Sequence, residues 1–426
     1  MLKNKPKILL VNPPIYDFAA YDYWLRPLGM LSAAGQLRGK AEFKLFDFLK
    51  HKHSKQNPFG TGKFTSRKTP KPDVFANIPR HYHRYGVGKD AFVDFLKQNG
   101  EFDFVMIQTV MTYWYLGYKE VIDTVRQIRP RAKIILGGPY AIICAEHAKT
   151  IGADFVVDSV RLEKLFEYVG IDGDSNQFPL WEVYDKPNTA AMRISTGCPF
   201  KCSYCSVPKI YGGFKTLGTE NKINEIQWLA DLGVKNIAFY DDALLYKSNE
   251  ALEPLLNEII KRNLGLNFHS PNALNARFIT ARLAELMVKA GFKTFCLGFE
   301  SSNEKFHSQT GDKVSSEELA EAVRILVMAG AEKKDIIAYQ ILGHPSDNVL
   351  QTEESMKFIG RLGIKIMLAD FSPIPTTPDG EYCRKFVDLD EPLMHNKTAF
   401  PIILWGNSSV NRLKDLCREI NSKVAI

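Results

Sequence analysis

Three cysteines within eight residues, Cys198, Cys202 and Cys205, constrain this chain more than any other part of its sequence. Thiolates are soft ligands for the irons of iron-sulfur clusters, and three at this spacing can hold three irons of one cubane. The fourth iron is then left open to a small molecule. Gly197 and Pro199 are typical of a loop whose backbone bends closely around such a group. The stretch therefore predicts a cluster-binding loop.

Two other uses of these cysteines are less well supported. Structural zinc normally takes four ligands from paired CxxC or CxxH spacings, and no second pair lies nearby. A disulfide with one spare thiol is disfavoured, because 7 cysteines in 426 residues suit a reducing cytosol. The other four, Cys144, Cys296, Cys383 and Cys417, are scattered, so the sequence predicts no second three-cysteine cluster.

The length and composition describe a globular protein of one large domain or two ordinary domains. Hydrophobic residues make up 45% of the chain and charged residues 24%. The apolar run at residues 8–11 is too short for a signal peptide, and no apolar run reaches the length of a membrane span. We therefore expect a cytoplasmic protein without a membrane partner.

The positive charge is concentrated between Lys50 and Lys71, within a chain whose net charge is +7. Such a stretch can bind nucleic acid or an anionic substrate. No recognisable nucleic-acid module accompanies it, so a solvated basic loop is favoured. A nucleic-acid partner is accordingly not expected.

Apolar strands and amphipathic helices alternate through residues 1–172. The predicted strands occupy residues 7–11, 42–48, 102–108, 133–136 and 154–157. This alternation predicts an α/β domain with a doubly wound parallel sheet of the flavodoxin-like kind, whose crevice lies at the carboxyl ends of the strands. A basic insertion at residues 49–100 interrupts the pattern.

A second alternating pattern runs through residues 173–378, beginning with a polar linker. Its predicted strands occupy residues 191–195, 234–240, 266–269, 293–298, 335–342 and 365–370. Six parallel strands with helices between them predict a partial (β/α) barrel. Residues 379–426 follow as a C-terminal cap or tail.

Polar residues stand at the ends of the predicted barrel strands, where the chemistry of such folds gathers. Asp241 and Asp242 follow the second strand, and each can bind a ligand or cap a helix. His269 ends the third strand, where substrate contact and a structural hydrogen-bonded role are equally open. Glu300 ends the fourth strand, and a buried charge at this place rarely serves packing, so we expect a site residue.

The CxxxCxxC spacing, with Tyr204 directly before the third cysteine, resembles the radical S-adenosylmethionine (SAM) superfamily. The resemblance implies a 4Fe-4S cluster on Cys198, Cys202 and Cys205 whose open iron binds SAM. It also implies that reduction of the cluster cleaves SAM to a 5'-deoxyadenosyl radical. The protein would position, shield and tune this chemistry.

The resemblance extends to residues around the barrel mouth. The residues it implies for cofactor binding are Tyr204, Asp241, Asp242, Glu300, Ser301, Gln340 and Gly343. By this resemblance the Asp pair approaches the amino group of SAM, while Glu300 and Ser301 lie near SAM and its ribose. The segment from Gln340 to Gly343 shapes the wall around adenine. No catalytic residue is assigned.

Residues 1–172 resemble the cobalamin-binding domain that precedes many radical SAM cores, down to the Gly137-Gly138-Pro139 turn. The DxHxxG signature of an axial histidine is absent, and the insertion at residues 49–100 departs from the usual pattern. Cobalamin is therefore a possible but not a favoured cofactor. The aromatic stretch Tyr113-Trp114-Tyr115 is expected to serve packing rather than a cofactor.

The leading function is a radical SAM enzyme that reductively cleaves SAM and acts on an unknown substrate, with cobalamin-dependent methylation as one branch. Its expected partner is a reductant such as flavodoxin or ferredoxin. A methylthiotransferase is disfavoured, because it needs a second cluster with three more cysteines. The alternative is a non-enzymatic iron-sulfur protein for electron transfer or sensing, against which the open iron, Asp242 and Glu300 argue.

Overall fold

The computed structural model describes residues 5–50, 53–311 and 314–424. The chain divides into two compact units. The first comprises Met1–Pro187 and Asp390–Leu393, and the second comprises Asn188–Leu389 and Met394–Ile426. Within the described ranges, no helix is apolar over a length that would cross a lipid bilayer.

A five-stranded parallel sheet forms the centre of the first unit. Its strands are β1 (Lys7–Asn12), β2 (Glu42–Asp47), β3 (Phe104–Gln108), β4 (Lys133–Gly137) and β5 (Phe155–Val157). They are ordered β5-β4-β3-β1-β2, and every neighbouring pair is parallel. This is the flavodoxin-like order, which reverses between β1 and β3. The predicted doubly wound sheet is confirmed.

Buried apolar strands and close helix contacts form the core of this unit. Ile8, Leu9, Leu10 and Val11 of β1 are fully buried, as expected for a strand covered on both faces. A Cβ at Gly117 would lie 1.9 Å from the carbonyl oxygen of Pro14, so only glycine allows this helix to come so close. The helices are Leu28–Gly35, Lys89–Gln98, Tyr115–Ile128, Pro139–Ile143, Ala145–Thr150 and Glu163–Val169, with 3-10 turns at Asp73–Phe75, Thr112–Trp114 and Trp181–Val183.

The insertion after β2 pairs with two short strands that follow β1, and together they form two small antiparallel sheets. One contains strands Tyr21–Asp22, His53–Gln56 and Gly62–Phe64, and the other contains Ile15–Asp17, Ser66–Lys68 and His83–Tyr85. Arg84 anchors the second sheet, because its buried guanidinium forms an ion pair of 2.6 Å with Glu120. The insertion therefore adds structure outside the five-stranded sheet and interrupts none of its strand pairs.

Part of the basic stretch lies on these small sheets. Arg67 and Lys68 are exposed on strand Ser66–Lys68, at the edge of its sheet. His51 and Lys52 lie outside the described residues.

A six-stranded parallel sheet forms the centre of the second unit. Its strands are β6 (Thr189–Met192), β7 (Asn236–Phe239), β8 (Asn267–Asn275), β9 (Phe292–Glu300), β10 (Ile336–Leu342) and β11 (Lys365–Asp370). They follow one another in sequence order, and each neighbouring pair is parallel. The predicted partial (β/α) barrel is confirmed. All six carboxyl ends therefore lie at one edge of the sheet.

Helices separate successive strands of the barrel. Leu252, Leu255, Leu256 and Ile259 are buried on one face of their helix, as their spacing predicts. The helices are Val207–Tyr211, Thr219–Asp231, Leu252–Arg262, Ala281–Ala290, Glu304–Thr310, Ser316–Met328, Val349–Arg361, Pro378–Tyr382, Ala399–Trp405 and Asn407–Val424.

Strands β8 and β9 run further than predicted and are irregular near their carboxyl ends. The pairing of β8 with β9 shifts between Ser270 and Leu274, and the pairing of β9 with β10 shifts between Gly298 and Glu300. Glu300 has a φ of 71°, in the left-handed region. Such a conformation costs a residue with a side chain roughly 1–3 kcal/mol and is typical of functional sites.

Candidate active site

The predicted cluster-binding loop is closed at its base. Strand Ser195–Thr196, after β6, pairs antiparallel with Lys215–Thr216, and the three cysteines lie between them. Gly197 begins the loop with a φ of 72°, and a Cβ there would lie 2.4 Å from the carbonyl oxygen of Gly213. The two ends of the loop thus meet at a point where only glycine fits.

Cys198, Cys202 and Cys205 line one cavity of about 320 Å³ near the carboxyl ends of β7 and β8. All three residues are partly exposed, and none forms a disulfide. Asp242 and Asn275 contribute polar groups to the same cavity. The loop and the strand ends therefore enclose a space in which a group held by the thiols can meet polar side chains.

An aromatic cluster forms part of the wall of this cavity. The ring centroids of Phe200 and Tyr246 lie 6.2 Å apart, those of Phe200 and Phe278 lie 6.0 Å apart, and those of Tyr246 and Phe278 lie 5.9 Å apart. Each ring contacts the other two. The cluster makes this part of the wall apolar and limits the access of water.

The consecutive residues Asp241 and Asp242 differ in their hydrogen bonding. Asp241 Oδ1 accepts from Ser195 N and Ser195 Oγ, each at 2.6 Å, and from Ile194 N at 3.1 Å. Asp242 lines the cavity, and among the described residues its buried Oδ2 has no hydrogen-bond partner. Burial raises the pKa of Asp241 to about 6 and also raises the pKa of Asp242. Asp242 is thus the one with an oxygen available to a ligand.

Arg193 supplies the positive charge beside this pair. Its guanidinium lies 4.3 Å from the ring centroid of Tyr211. Burial lowers the pKa of Arg193, but Tyr211 and the carboxylates of Asp242 and Asp241 outweigh burial and raise it. Arg193 was not predicted as a site residue. Nothing in the sequence distinguishes it from any arginine after a strand, and only the fold brings it to the two carboxylates.

Glu300 and Ser301 stand at the end of β9, and Glu300 is also close enough to the cluster loop to act electrostatically on Tyr204. Burial, followed by the negative charge of Glu300 and the proximity of Cys202, raises the pKa of Tyr204. Glu300 itself is only 7% exposed. The Ser301 hydroxyl donates to Asp347 Oδ2 at 3.3 Å and accepts from Asn303 N at 3.2 Å.

Gln340 and Gly343 lie at the end of β10. Gln340 is fully buried, and its Oε1 has no hydrogen-bond partner within the described part of the chain. Gly343 has a φ of 88°, and a Cβ there would lie 2.5 Å from the ring of Pro401. The glycine therefore has a packing role against the helix Ala399–Trp405, whatever its contact with a cofactor.

His269 has a structural environment. It is fully buried in β8, with Nε2 3.3 Å from Asn236 Oδ1 and Nδ1 3.3 Å from Thr294 Oγ1. Burial lowers its pKa to about 3. Of the two roles left open for His269, the structure thus favours the hydrogen-bonded histidine inside the barrel.

Unpartnered polar atoms in the cavity and at the end of β10 fit a small polar cofactor. Asp242 Oδ2, Asn275 Nδ2 and Gln340 Oε1 are buried without a hydrogen-bond partner among the described residues. A buried polar atom is costly unless it is paired, so a ligand that pairs these atoms is stabilised by them. SAM offers an amino group, a carboxylate and an adenine. Within the described ranges, no three His, Cys, Asp or Glu side chains converge as they would around a single metal ion.

Glycine brings together the loops after β3 and β4, beside the point between β1 and β3 at which the strand order reverses. Ligands of such sheets bind outside the carboxyl ends of the strands at this point. Gly138, after β4, has a φ of 118°, and a Cβ there would lie 2.1 Å from the carbonyl oxygen of Thr109, after β3. The loops after β3 and β4 therefore approach more closely than any side chain would allow. Residues 12–24, at and after the end of β1, contain no histidine.

The aromatic stretch after β3 packs inward. Tyr113 and Trp114 are buried, and Trp114 Nε1 donates to Asp17 Oδ2 at 2.9 Å. Tyr115 OH donates to Glu391 Oε1 at 3.3 Å. All of these contacts lie within the first unit.

Comparison with known proteins assigns both parts of the chain to families. The family model of the Radical SAM superfamily matches residues 192–359. The family model of the B12 binding domain matches residues 76–159. The first match contains all three cysteines of the loop, and the second covers β3, β4 and β5.

Curated relatives match a little under half of the chain at low identity. A hopanoid C-2 methylase of Rhodopseudomonas palustris is 27% identical over 195 residues, which are 44% of this chain and 36% of that protein. A ribosomal protein uS12 methylthiotransferase, RimO of Chlorobium phaeobacteroides, is 25% identical over 206 residues, 47% of each protein. The matches thus span less than half the length of these relatives.

A solved structure shares the fold of nearly the whole chain. The radical S-adenosylmethionine methyltransferase TsrM of Kitasatospora setae, solved with cobalamin and a [4Fe-4S] cluster bound, has a TM-score of 0.68 at 14% identity. The likeness covers 97% of this chain and 91% of that chain. It shows that the two chains have the same fold.

The expectation that cobalamin is not a favoured cofactor is wrong. It relied on the missing DxHxxG histidine and on the insertion at residues 49–100, yet the B12 binding domain model matches residues 76–159. The histidine would supply only an axial ligand, whereas the crevice is made by the strand ends. The insertion forms small sheets with strands that follow β1, and it leaves the parallel sheet intact.

The family matches also decide between the two predicted classes of function, because they favour an enzyme over a protein for electron transfer or sensing. The chain contains a radical SAM domain at residues 192–359 and, ahead of it, a B12 binding domain at residues 76–159.

Proposed function

We propose that this protein is a cobalamin-dependent radical SAM methyltransferase that acts on an unidentified substrate. The observation that carries the proposal is the cavity that joins three cysteines to the unpartnered Oδ2 of Asp242, in a chain with a B12 binding domain. When bound, the cluster with SAM supplies reductive cleavage and the corrinoid supplies methyl transfer. The relative named a hopanoid C-2 methylase supports methylation over rearrangement or oxidation.

The residues that line the cavity would bind the cluster and the methionine part of SAM. Cys198, Cys202 and Cys205 would hold three irons. Asp242 Oδ2 would accept a hydrogen bond from the amino group, and Asn275 Nδ2 would donate one to the carboxylate. Burial raises the pKa of Asp242, and the charge of Arg193 opposes this shift and so favours the ionised acceptor.

The other predicted site residues keep roles at the neighbouring strand ends. Glu300 and Ser301 would bind the ribose, and Gln340 with Gly343 would border the adenine. Tyr204 would shield the cluster from the side of Glu300. The Asp241 carboxylate accepts from the backbone and hydroxyl ahead of the loop and would act on SAM only through Asp242 and the cysteines.

The partner, location and division of the chain follow from this chemistry. Reductive cleavage needs a one-electron donor, such as flavodoxin or ferredoxin. The cluster ligands must stay thiolates, so we place the protein in the cytoplasm. Residues 1–172 would hold the corrinoid, 173–378 the cluster and SAM, and 379–426 would act as a cap.

Methylthiotransferase activity, the activity named for the RimO relative, is not favoured. The remaining cysteines lie on separate elements, with Cys144 in the first unit, Cys296 inside β9 and Cys383 after the helix Pro378–Tyr382. Cys417 lies in the C-terminal helix, and its thiol is 3.7 Å from the carbonyl oxygen of Ile366. A second cluster would need three of these thiols together.

The test is anaerobic reconstitution of the chain with iron, sulfide and hydroxocobalamin, followed by gel filtration. We expect about four irons per chain and a retained corrinoid. With SAM and dithionite, we expect 5'-deoxyadenosine or S-adenosylhomocysteine by mass spectrometry. A loaded cluster without retained corrinoid would contradict the methylation branch. A loaded cluster whose EPR signal does not respond to SAM would contradict the enzyme.

The ligand assignment has its own matched pair of variants. Cys202→Ala should lose the iron-sulfur absorption band, whereas Cys296→Ala, a buried cysteine within β9, should keep it. An undiminished band in Cys202→Ala would overturn the assignment of the three cysteines.

A further inference from the structure

Ser203, between the second and third cysteines of the loop, is held from two sides. Its backbone N donates to the carbonyl oxygen of Thr310 at 3.2 Å, and its own carbonyl oxygen accepts from Asp379 N at 3.1 Å. Its hydroxyl donates to Asp379 Oδ2 at 2.5 Å. Asp379 therefore contacts Ser203 through both its backbone and its side chain, although the two residues are 176 positions apart.

A buried histidine fixes the other side of the Asp379 carboxylate. His344 is fully buried, and its Nε2 lies 2.9 Å from Asp379 Oδ2. His344 Nδ1 accepts from Ser346 N at 3.1 Å, so the proton of a neutral ring is on Nε2 and is donated to Asp379. The ring centroid of His344 also lies 6.1 Å from that of Tyr204, the residue after Ser203. Asp379 Oδ2 thus accepts two hydrogen bonds, one of them from the loop.

The turn that carries Asp379 has a constrained backbone. Thr376 has a φ of 72°, a conformation that is rare for a β-branched residue. A Cβ at Gly380 would lie 1.8 Å from the carbonyl oxygen of Ile374, so the turn closes more tightly than any side chain would permit there. Strained backbone persists where the surrounding structure holds it, and it is typical of functional sites. It is an indication, independent of the hydrogen bonds, that the place of Asp379 matters.

We propose that Asp379 is a positioning residue of the cluster, which, with His344 behind it, holds Ser203 and thereby fixes the spacing between Cys202 and Cys205. This inference rests on the proposed function, because it requires a cluster on the loop. Cys205 N donates to the carbonyl oxygen of Cys202 at 3.0 Å, so these two ligands and Ser203 belong to one tight turn. Partners that orient the ligands of a metal typically change its affinity about 10–100-fold when they are removed.

Variants of Asp379 can distinguish a role of its hydrogen bonds from a role of its negative charge. Both donors meet the same oxygen, so the single side-chain oxygen of an asparagine can accept both. Asp379→Asn therefore keeps the contacts, and Asp379→Ala removes them. Ser203→Ala removes the hydroxyl and keeps the backbone bond from Asp379. Glu354→Ala, which removes an exposed carboxylate from the helix Val349–Arg361, is the matched control for charge.

The test is the rate at which the reconstituted chain loses iron to a ferrous chelator under anaerobic conditions, together with the EPR spectrum of the reduced cluster. Asp379→Ala should lose iron about tenfold faster than wild type or more, with a broadened spectrum. Ser203→Ala should be intermediate, and Asp379→Asn and Glu354→Ala should remain close to wild type. Circular dichroism of the iron-free chains checks that each variant folds.

Each other outcome overturns a defined part of the inference. If the Asp379→Ala chain loses iron at the wild-type rate, Asp379 does not position the cluster. An Asp379→Asn chain as labile as Asp379→Ala shows that the charge matters and the hydrogen bonds do not. A wild-type chain that takes up no cluster overturns the proposed function, and the inference with it.

Discussion

Asp241 Oδ1 accepts two hydrogen bonds of 2.6 Å from Ser195, one from the backbone N and one from the hydroxyl. Ser195 precedes Cys198 by three residues, so a carboxylate at the end of β7 fixes the start of the cluster loop. The pair is buried, with Asp241 2% and Ser195 2% exposed. Hydrogen bonds to a charged group in such surroundings are stronger than those between neutral groups.

Asp241→Ala should therefore loosen the base of the loop. It leaves Ser195 N and Ile194 N buried without their acceptor, at a cost of about 1–3 kcal/mol. Native-state hydrogen exchange of the amides of residues 194–197 measures this cost locally. Asp241→Asn, which keeps one acceptor oxygen, should lose less. Unchanged exchange in Asp241→Ala would show that other contacts hold the loop.

Asp242→Ala should weaken SAM binding without removing the cluster. A hydrogen bond to a charged group is worth about 1.5–3 kcal/mol, which predicts a rise of about 10–100-fold in the dissociation constant of SAM. A titration of the reduced, reconstituted chain with SAM, followed by EPR, measures it. The iron content, which should equal that of wild type, is the control. Wild-type SAM affinity in this variant would remove Asp242 from the proposed site.

Gly197→Ala should prevent the cluster loop from closing. The added Cβ would lie 2.4 Å from the carbonyl oxygen of Gly213, in addition to the strain of a positive φ. Gly265→Ala is the matched control, because Gly265 has a φ of 64° but open space around the added atom. The control should lose only the strain, about 1–2 kcal/mol, and keep its iron. Equal iron contents in the two variants would mean that the contact with Gly213 is unimportant.

The burial of neutral His269 should lower the free energy of unfolding of the second unit as the pH becomes acidic. Burial lowers its pKa to about 3, whereas an unfolded histidine titrates near about 6.5. Between these values the unfolded chain binds a proton that the folded chain refuses, so stability falls as the pH decreases through this window and is fully present above it. Thermal unfolding of His269→Gln at a series of pH values should show a smaller loss between about pH 7 and about pH 5 than wild type. Parallel curves would contradict the assigned pKa.

The two parallel sheets could be predicted from the sequence because fully buried strands are continuous apolar runs. Residues 7–11 were predicted as a strand, and β1 spans Lys7–Asn12. The six strands of the barrel are predicted in the same way, with ends that differ by three residues or fewer except at the carboxyl end of β8. Burial on both faces leaves a pattern that is local in the chain.

Asn275 was missed because β8 continues past a sequence that indicates its end. The third barrel strand is predicted to stop at His269, but β8 runs past Pro271 to Asn275 through a shift in its pairing with β9. Proline is tolerated in a strand where the ladder is interrupted. The interruption depends on the neighbouring strand and has no local pattern of its own.

The sequence also could not predict that Asp241 and Asp242 have different environments. Successive side chains at a strand end point in opposite directions, so one of two adjacent carboxylates faces the loop while the other faces the cavity. Which of them does so depends on the path of the loop around Ser195. The contact of Asp379 with Ser203 is less visible still, because it joins residues that the sequence separates by 176 positions.

The expectation about cobalamin failed for a different reason. It gave weight to one missing histidine and to the insertion at residues 49–100, although ligands of such sheets bind in a crevice formed by the strand ends and the strand order. The Gly137-Gly138-Pro139 turn is visible in the sequence, but its meaning depends on the distance of 2.1 Å between a Cβ at Gly138 and Thr109 O. That distance can be known only from the folded structure, because the two residues belong to different loops.

The short antiparallel pair of Ser195–Thr196 with Lys215–Thr216 affects how a cluster lost to oxidation could be rebuilt. Iron-sulfur clusters are vulnerable to oxygen, and a chain that has lost its metal must find the same arrangement again. A segment whose two ends remain joined searches far fewer conformations than one with a free end, because most of its closure entropy has already been lost. On the proposed function, reloading an emptied site would therefore be a local event, which would need metal and sulfide but no refolding of the barrel.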